Sequence, residues 1–215
     1  MENEEAKALQ EVAKFGTKAL ESGDKLGGFL SKVFGTLPSD VVGVVGGDWL
    51  HHIRIRNAAK LAQRTEEILR DRGILEQTEP MSPSVAIPLL HAAQDETREQ
   101  LREMWARMLA NGMDPSRSAS VRQSIIATVK GFDPLDAVIL QMVSDRSPDE
   151  RTSANFTDLR KELGVPVDEL ELSLSNLQKL GCIGGRSLIV KDDITVITSL
   201  SLTSLGREVI RACSL

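Results

Sequence analysis

The sequence predicts a mainly α fold, a helical bundle followed by a small α/β unit at the C-terminal end. Three observations predict it. Apolar residues recur at helical spacing along most of the chain, glycines stand where several of those patterns stop, and two β-branched runs near the end flank a short polar turn. A chain of 215 residues can bury one sizeable core or two smaller ones. Its net charge of −5 makes it a poor non-specific ligand for nucleic acid, because phosphate dominates that affinity, although a local basic patch can still act. The two cysteines, Cys182 and Cys213, stand far apart without the close neighbours of a zinc site, and they suit a reducing cytosol. The acidic start (Glu2, Glu4, Glu5) is unlike a secretory leader, and no run reaches the ~20 apolar residues of a simple membrane span.

Residues 1–22 read as an amphipathic helix with Leu9, Val12, Ala13, Gly16, Ala19 and Leu20 on one side. Residues 23–50 are apolar and glycine-rich, broken by Lys32, Pro38 and Asp40 into halves at Leu26–Leu37 and Val41–Leu50. Each half is too short to cross a bilayer as one helix. Glycines this dense weaken a helix by about 1 kcal/mol each relative to alanine, yet they let helices approach closely. The segment is therefore either a buried hairpin, a part that enters lipid, or an oligomer contact. A basic helix follows over His51–Arg72, with Arg54, Arg56, Lys60, Arg64, Arg70 and Arg72 beside an apolar side of Ile53, Leu61, Ile68 and Leu69, and Gly73 ends it. Such a face suits an anionic lipid surface and equally suits an ordinary solvated helix.

Pro80–Asp114 predicts a helical hairpin, the stretch around which the chain is organised. Its second helix carries Leu101, Met104, Trp105, Met108 and Leu109 on one stripe, with Thr97 and Gln100 as a capping box and Gly112 as a left-handed C-cap. A further helix is expected over Arg117–Lys130, stopped by Gly131. Asp133 and Pro134 are good N-cap and N1 residues for the next one. Helices at Phe156–Leu163 and Val167–Leu180 then end at Gly164 and Gly181. Strands at Cys182–Val190 and Ile194–Leu200 join through Lys191, Asp192 and Asp193, and a closing helix starts at Thr203. Helix, helix, helix, β-hairpin, helix is the order of a winged-helix domain, and LTSLGR (Leu202–Arg207) is similar to the turn that leaves the wing in many of them. The expected division is 1–50, 51–131 and 132–215.

Several phrases resemble the Abi-alpha (abortive infection alpha) family of bacterial proteins. They are Gly47-Asp48-Trp49-Leu50 running into Arg54 and Arg56, PLLHAA (Pro88–Ala93), LREMWARMLANGMDP (Leu101–Pro115) and FDPLDAVIL (Phe132–Leu140), in the family's order. His91 stands where the family pattern has Glu, and FDP replaces a Leu-Ser-Pro. The resemblance covers roughly residues 45–145 and the C-terminal part more loosely. It implies a role in bacterial defence against phage with no catalytic motif to carry over. Several members have an apolar N-terminal portion compatible with a membrane-acting effector, which here is Leu26–Leu50.

The residues themselves give no catalytic constellation. His51, His52 and His91 lack acidic partners at metal-ligand spacing, and VGVVGG (Val42–Gly47) lacks the Lys-Ser/Thr and strand-to-helix setting of a phosphate loop. Glu99 and Glu103 are one helical turn apart and read as a solvated face. Catalysis, cofactor and metal are therefore not expected. A DNA-reading winged helix needs a cationic third helix, whereas Val167–Leu180 opens with Asp168, Glu169 and Glu171 and holds only Lys179. Residues 133–215 carry thirteen acids against nine bases. The expected function is a non-enzymatic phage-defence protein, cytoplasmic or peripheral at the inner membrane. Phe29, Phe34, Trp49, Arg54 and Arg56 would contact membrane or partner, and the C-terminal unit would contact protein. The alternatives are a DNA-binding regulator using Lys179 and Arg186, and a scaffold or immunity-type module. A protein partner is implied, with homo-oligomerisation left open.

Overall fold

A computed structural model describes residues 28–35, 48–146, 156–190 and 194–214. The helix expected over 1–22, most of the Val41–Leu50 half and the turn at 191–193 lie outside these residues. Among the described residues the chain forms nine helices and one two-stranded antiparallel sheet. The helices are α1 (28–34), α2 (Asp48–Asp71), α3 (Pro83–Gln94), α4 (Glu99–Met113), α5 (Gln123–Lys130), α6 (Pro134–Asp145), α7 (Phe156–Leu163), α8 (Val167–Lys179) and α9 (Ser204–Cys213). Strands β1 (Ile183–Val190) and β2 (Ile194–Leu202) pair from Ile183 opposite Leu202 to Val190 opposite Ile194, with an irregularity at Arg186/Ser187. The mainly α class and the order of elements are those the sequence predicts.

The core is laid around α4. Its stripe of Leu101, Trp105, Met108 and Leu109 is buried and Met104 packs partly buried beside it, as the spacing predicts. Burial then extends round the helix, because Ala106, Ala110, Asn111, Gly112 and Met113 are covered as well. Helices α2 and α3 pack on one part of α4, while α6 and the returning α9 pack on others. Residues from 28–34 to the last helix therefore share a single hydrophobic cluster.

Local stop signals behave as expected. Gly73, Gly164 and Gly181 all sit at positive φ just past helix ends, a conformation that costs a side-chain-bearing residue. Thr203 caps α9, its Oγ1 accepting from the Gly206 N–H at 3.0 Å. The Asp136 carboxylate reaches back to the Asp133 N–H at 2.7 Å, so the start of α6 is capped with Pro134 in its first turn.

Three expectations are corrected. The Thr97/Gln100 capping box does not form. Instead Glu96 Oε1 accepts from the Thr97 and Arg98 N–H groups at 2.9 and 2.8 Å, which orders the turn before α4, and the N-cap residue Arg98 makes no side-chain cap. Gly112 is not a left-handed cap but an interior residue of α4, placed where a Cβ would meet the Cε and Sδ of Met81. The helix expected over 117–130 begins only at Gln123, after a single 3₁₀ turn at Ser118–Ser120. Helix α3 also tolerates Pro88 in its interior. Proline offers no N–H to the carbonyl of Ser84, and Gln123 Nε2 donates to that oxygen instead at 2.7 Å, tying α3 to α5.

The glycines of α4 and α9 make contrasting predictions. A Cβ on Gly206 would run into the backbone carbonyl of Cys182, which cannot swing away. Gly206→Ala should therefore cost about 3 kcal/mol or more in urea unfolding. Gly112→Ala meets only the flexible end of Met81 and gains about 1 kcal/mol of helix propensity, so its net change should stay within about 1 kcal/mol.

Candidate functional site

Two surfaces carry the charged residues that the sequence singles out. The first is α2 where it lies along the α3–α4 hairpin. Arg54 donates through Nε and Nη2 to the two oxygens of Asp95 at 2.6 and 3.1 Å. One turn on, Asn57 Nδ2 donates to the Gln94 carbonyl at 2.9 Å. Arg64 makes a bidentate pair with Glu103 at 2.8 and 2.9 Å, and Arg107 Nε meets the same carboxylate at 2.9 Å. The Arg64 hydrogen bond leads the effects that hold Glu103 below the usual carboxylate range, against a smaller opposing push from burial. Glu96 is buried too, and burial alone would raise its pKa. Its hydrogen bonds from the Arg98 side chain and backbone, with that charge, outweigh burial and lower it.

At the end of α2, Arg72 Nη1 donates to Asn111 Oδ1 at 2.8 Å and Nη2 to the Ser214 carbonyl at 3.1 Å. Asn111 Nδ2 completes the cluster by donating to the carbonyls of Ala212 and Ser214 at 2.8 and 3.0 Å. Burial, helped by the nearby Arg117, lowers the Arg72 pKa, and Asp114 opposes that shift.

These pairs leave a groove of about 530 Å³ between α2 and the hairpin, lined in part by Lys60, Leu61, Ala93, Glu99 and Arg102. Leu61 and Ala93 are buried in its floor. Lys60 and Glu99 are exposed and Arg102 half-buried, and none of the three is in an ion pair with another described residue.

The second surface is α8. Leu170, Ser173, Leu174 and Leu177 form its buried face. Ser173 Oγ donates to Asp136 Oδ1 and Asn176 Nδ2 donates to Asp136 Oδ2 at 2.6 Å, so one buried carboxylate fixes the rotation of the helix. The opposite face exposes Asp168, Glu169, Glu171 and Leu172, the last at 70%.

Several expected contact residues lie elsewhere. Phe29 and Phe34 are 2% and 8% exposed and belong to the core, so they are not free to meet membrane or partner. The reason is tertiary: the Val33 carbonyl accepts from the Met81 N–H at 2.8 Å, which draws α1 onto the segment leading into α3. Arg54 is engaged by Asp95, Arg56 is exposed, and Lys179 is exposed at the end of α8. The side chains of Trp49 and Arg186 lie outside the description. Reading Glu103 as solvated missed the Arg64 pair, which joins residues 39 apart in sequence. Leu172 was also passed over, although its place off the Leu170/Leu174/Leu177 stripe is visible in the sequence.

Among the described residues no three His, Cys, Asp or Glu side chains gather as a metal site. Burial pushes the Cys182 thiol up to about 11 and that of Cys213 up to about 12, which leaves both protonated and weakly nucleophilic at neutral pH.

A family model described as Abortive infection alpha matches residues 56–213, from within α2 to the last residue of α9. The chain belongs to the abortive infection alpha family. The abortive infection alpha match takes in the hairpin, α6–α8, the β-hairpin and the closing helix, so it reaches further toward the C-terminus than the phrases suggest, while Gly47–Leu50 and Arg54 precede it. No curated protein and no solved structure matches the chain.

Two outcomes are expected for this family member. Asn111→Ala leaves the Ala212 and Ser214 carbonyls and one Arg72 donor without their amide partner. It should cost about 2–3 kcal/mol and speed amide hydrogen exchange in α9. Glu96 and Glu103 both titrate below their unfolded values, so their contribution is complete above the ordinary carboxylate pKa of about 4.3. It is lost as pH falls through that value and on through the depressed ones. Urea unfolding against pH should show this acid decline, with a shallower slope for Glu103→Gln.

Proposed function

We propose that this chain acts in abortive infection, the phage-defence response its family is named for, as a non-enzymatic protein that works by binding another protein through the outward face of α8. Family membership supports the defence role. The observation that carries the contact role is the exposure of Leu172 among Asp168, Glu169 and Glu171, on a helix whose other face is locked to the core. An isolated exposed leucine is ordinary on a protein surface. Acidic groups around it supply the electrostatic half of a recognition patch and favour a cationic partner surface.

The same acids disfavour DNA, since a helix presenting Asp168, Glu169 and Glu171 opposes the phosphate attraction behind most such affinity. Lys179 alone stands against them on this face. A membrane role for residues 26–50 loses two of its anchors, because Phe29 and Phe34 are in the core. Among the described residues no helix is long and apolar enough to cross a membrane. Protein contact therefore ranks ahead of lipid contact as the mode of action.

Phage plating on cells expressing the chain tests this. Leu172→Asp combined with Glu169→Lys should raise plating efficiency to that of cells without the gene, while far-ultraviolet circular dichroism and the melting temperature stay unchanged. Full protection by that variant would refute the contact role. A duplex-DNA gel shift abolished by Lys179→Ala would replace it with nucleic-acid binding.

A further inference from the structure

We infer that the partner of the α8 face is a second copy of this chain, with α8 of one copy docking into the α2/α4 groove of the next. This rests on the reading of α8 as a protein-contact face and names what it meets. The two surfaces match in chemistry. The groove offers an apolar floor of Leu61 and Ala93 flanked by Lys60 and Arg102, cations that have no carboxylate among the described residues. The neighbouring Arg64 is already neutralised by Glu103, so Lys60 and Arg102 supply the available positive charge. Helix α8 offers Leu172 flanked by Asp168, Glu169 and Glu171. At the far end Lys179 has the sign to answer Glu99 on the groove wall. A leucine with two or three carboxylates thus meets an apolar floor with two unpaired cations. The groove, at about 530 Å³, has room for that side chain and the turn that carries it.

Groove and helix face come from different parts of the chain, so the contact is heterologous: each copy can give one face and receive another. Burying one face of a single short helix falls short of the roughly 1,200 Å² of stable interfaces. The association is therefore weak, concentration-dependent and sensitive to salt.

Sedimentation of the full chain from about 1 to 500 µM tests it, a range chosen for micromolar or weaker affinity. The wild type should gain mass with concentration, and less so in 0.5 M salt. Lys60→Glu with Arg102→Glu should weaken self-association by about tenfold or more, and so should Asp168→Lys with Glu169→Lys. An equimolar mixture of those two variants pairs the unaltered α8 of one with the unaltered groove of the other, and the two reversed surfaces with each other, so it should associate within about threefold of wild type although neither variant does so alone. Circular dichroism of each variant confirms that the fold is intact. A wild type that stays monomeric over the whole range, or paired reversals that leave association unchanged, would overturn the inference. In either case phage plating separates the two claims. Loss of protection by the Leu172→Asp/Glu169→Lys variant would leave the α8 contact role standing with a different protein as partner, and retained protection would remove both.

Discussion

The structure depends on burying the second half of a short helix on nearly every side. From Trp105 to Met113 only Arg107 in α4 escapes burial, so polar groups in this stretch depend on partners inside the fold, and the buried Trp105 Nε1–H has none among the described residues. Asn111 is accommodated because the C-terminal segment brings two carbonyls to its amide while Arg72 supplies its oxygen with a donor. The middle of the chain is thereby tied to residues 101 and 103 positions away. The C-terminal segment is consequently part of the same core and cannot separate from α4 without exposing a buried amide.

This constraint changes the meaning of the basic helix. Read alone, α2 is a cationic face waiting for a lipid headgroup. In the fold, Arg54, Arg64 and Arg72 point their guanidinium groups at Asp95, Glu103 and Asn111, and their work is to hold the hairpin and the chain end. The Arg64 and Glu103 side chains are 41% and 28% exposed, so that pair fixes geometry more than it adds stability. On the groove the charge left for an outside partner is that of Lys60 and Arg102, while Arg56 and Arg70 of α2 are exposed away from its lining and the acids of α8 are exposed on that helix.

Legibility in the sequence divides along the same line. Features set within a few residues could be read directly: Gly73, Gly164 and Gly181 as left-handed stops, Asp133-Pro134 as a helix start, Thr203 as a cap, and the α4 stripe from its spacing. What failed was fixed by distant residues. Gly112 looks like a terminator until Met81 is laid against it, and Glu103 looks solvated until Arg64 arrives from another helix. For the glycine-rich segment the sequence leaves burial, lipid entry and oligomer contact open, because nothing local shows that the Val33 carbonyl receives the Met81 N–H and that Phe29 and Phe34 are buried. The Thr97 cap fails because α4 begins at Glu99, which puts Arg98 and not Thr97 at the N-cap position, while Glu96 draws the Thr97 and Arg98 N–H groups into the turn before it.

The orientation of α8 follows from a polar group in the core, and that gives its outer face its interest. Asp136 is a buried carboxylate that receives the Ser173 hydroxyl, the Asn176 amide and the Asp133 N–H, an arrangement that tolerates little rotation. Successive residues of a helix lie about 100° apart. Fixing Ser173 and Asn176 toward Asp136, with Leu170, Leu174 and Leu177 in the core, leaves Leu172 on the outside. Rotating the helix to cover it would break the carboxylate cluster and expose three leucines. The fold therefore holds an apolar side chain in water among acidic ones, and removing that side chain costs the core nothing. A residue that stability does not require is a place where binding can be altered without unfolding the chain.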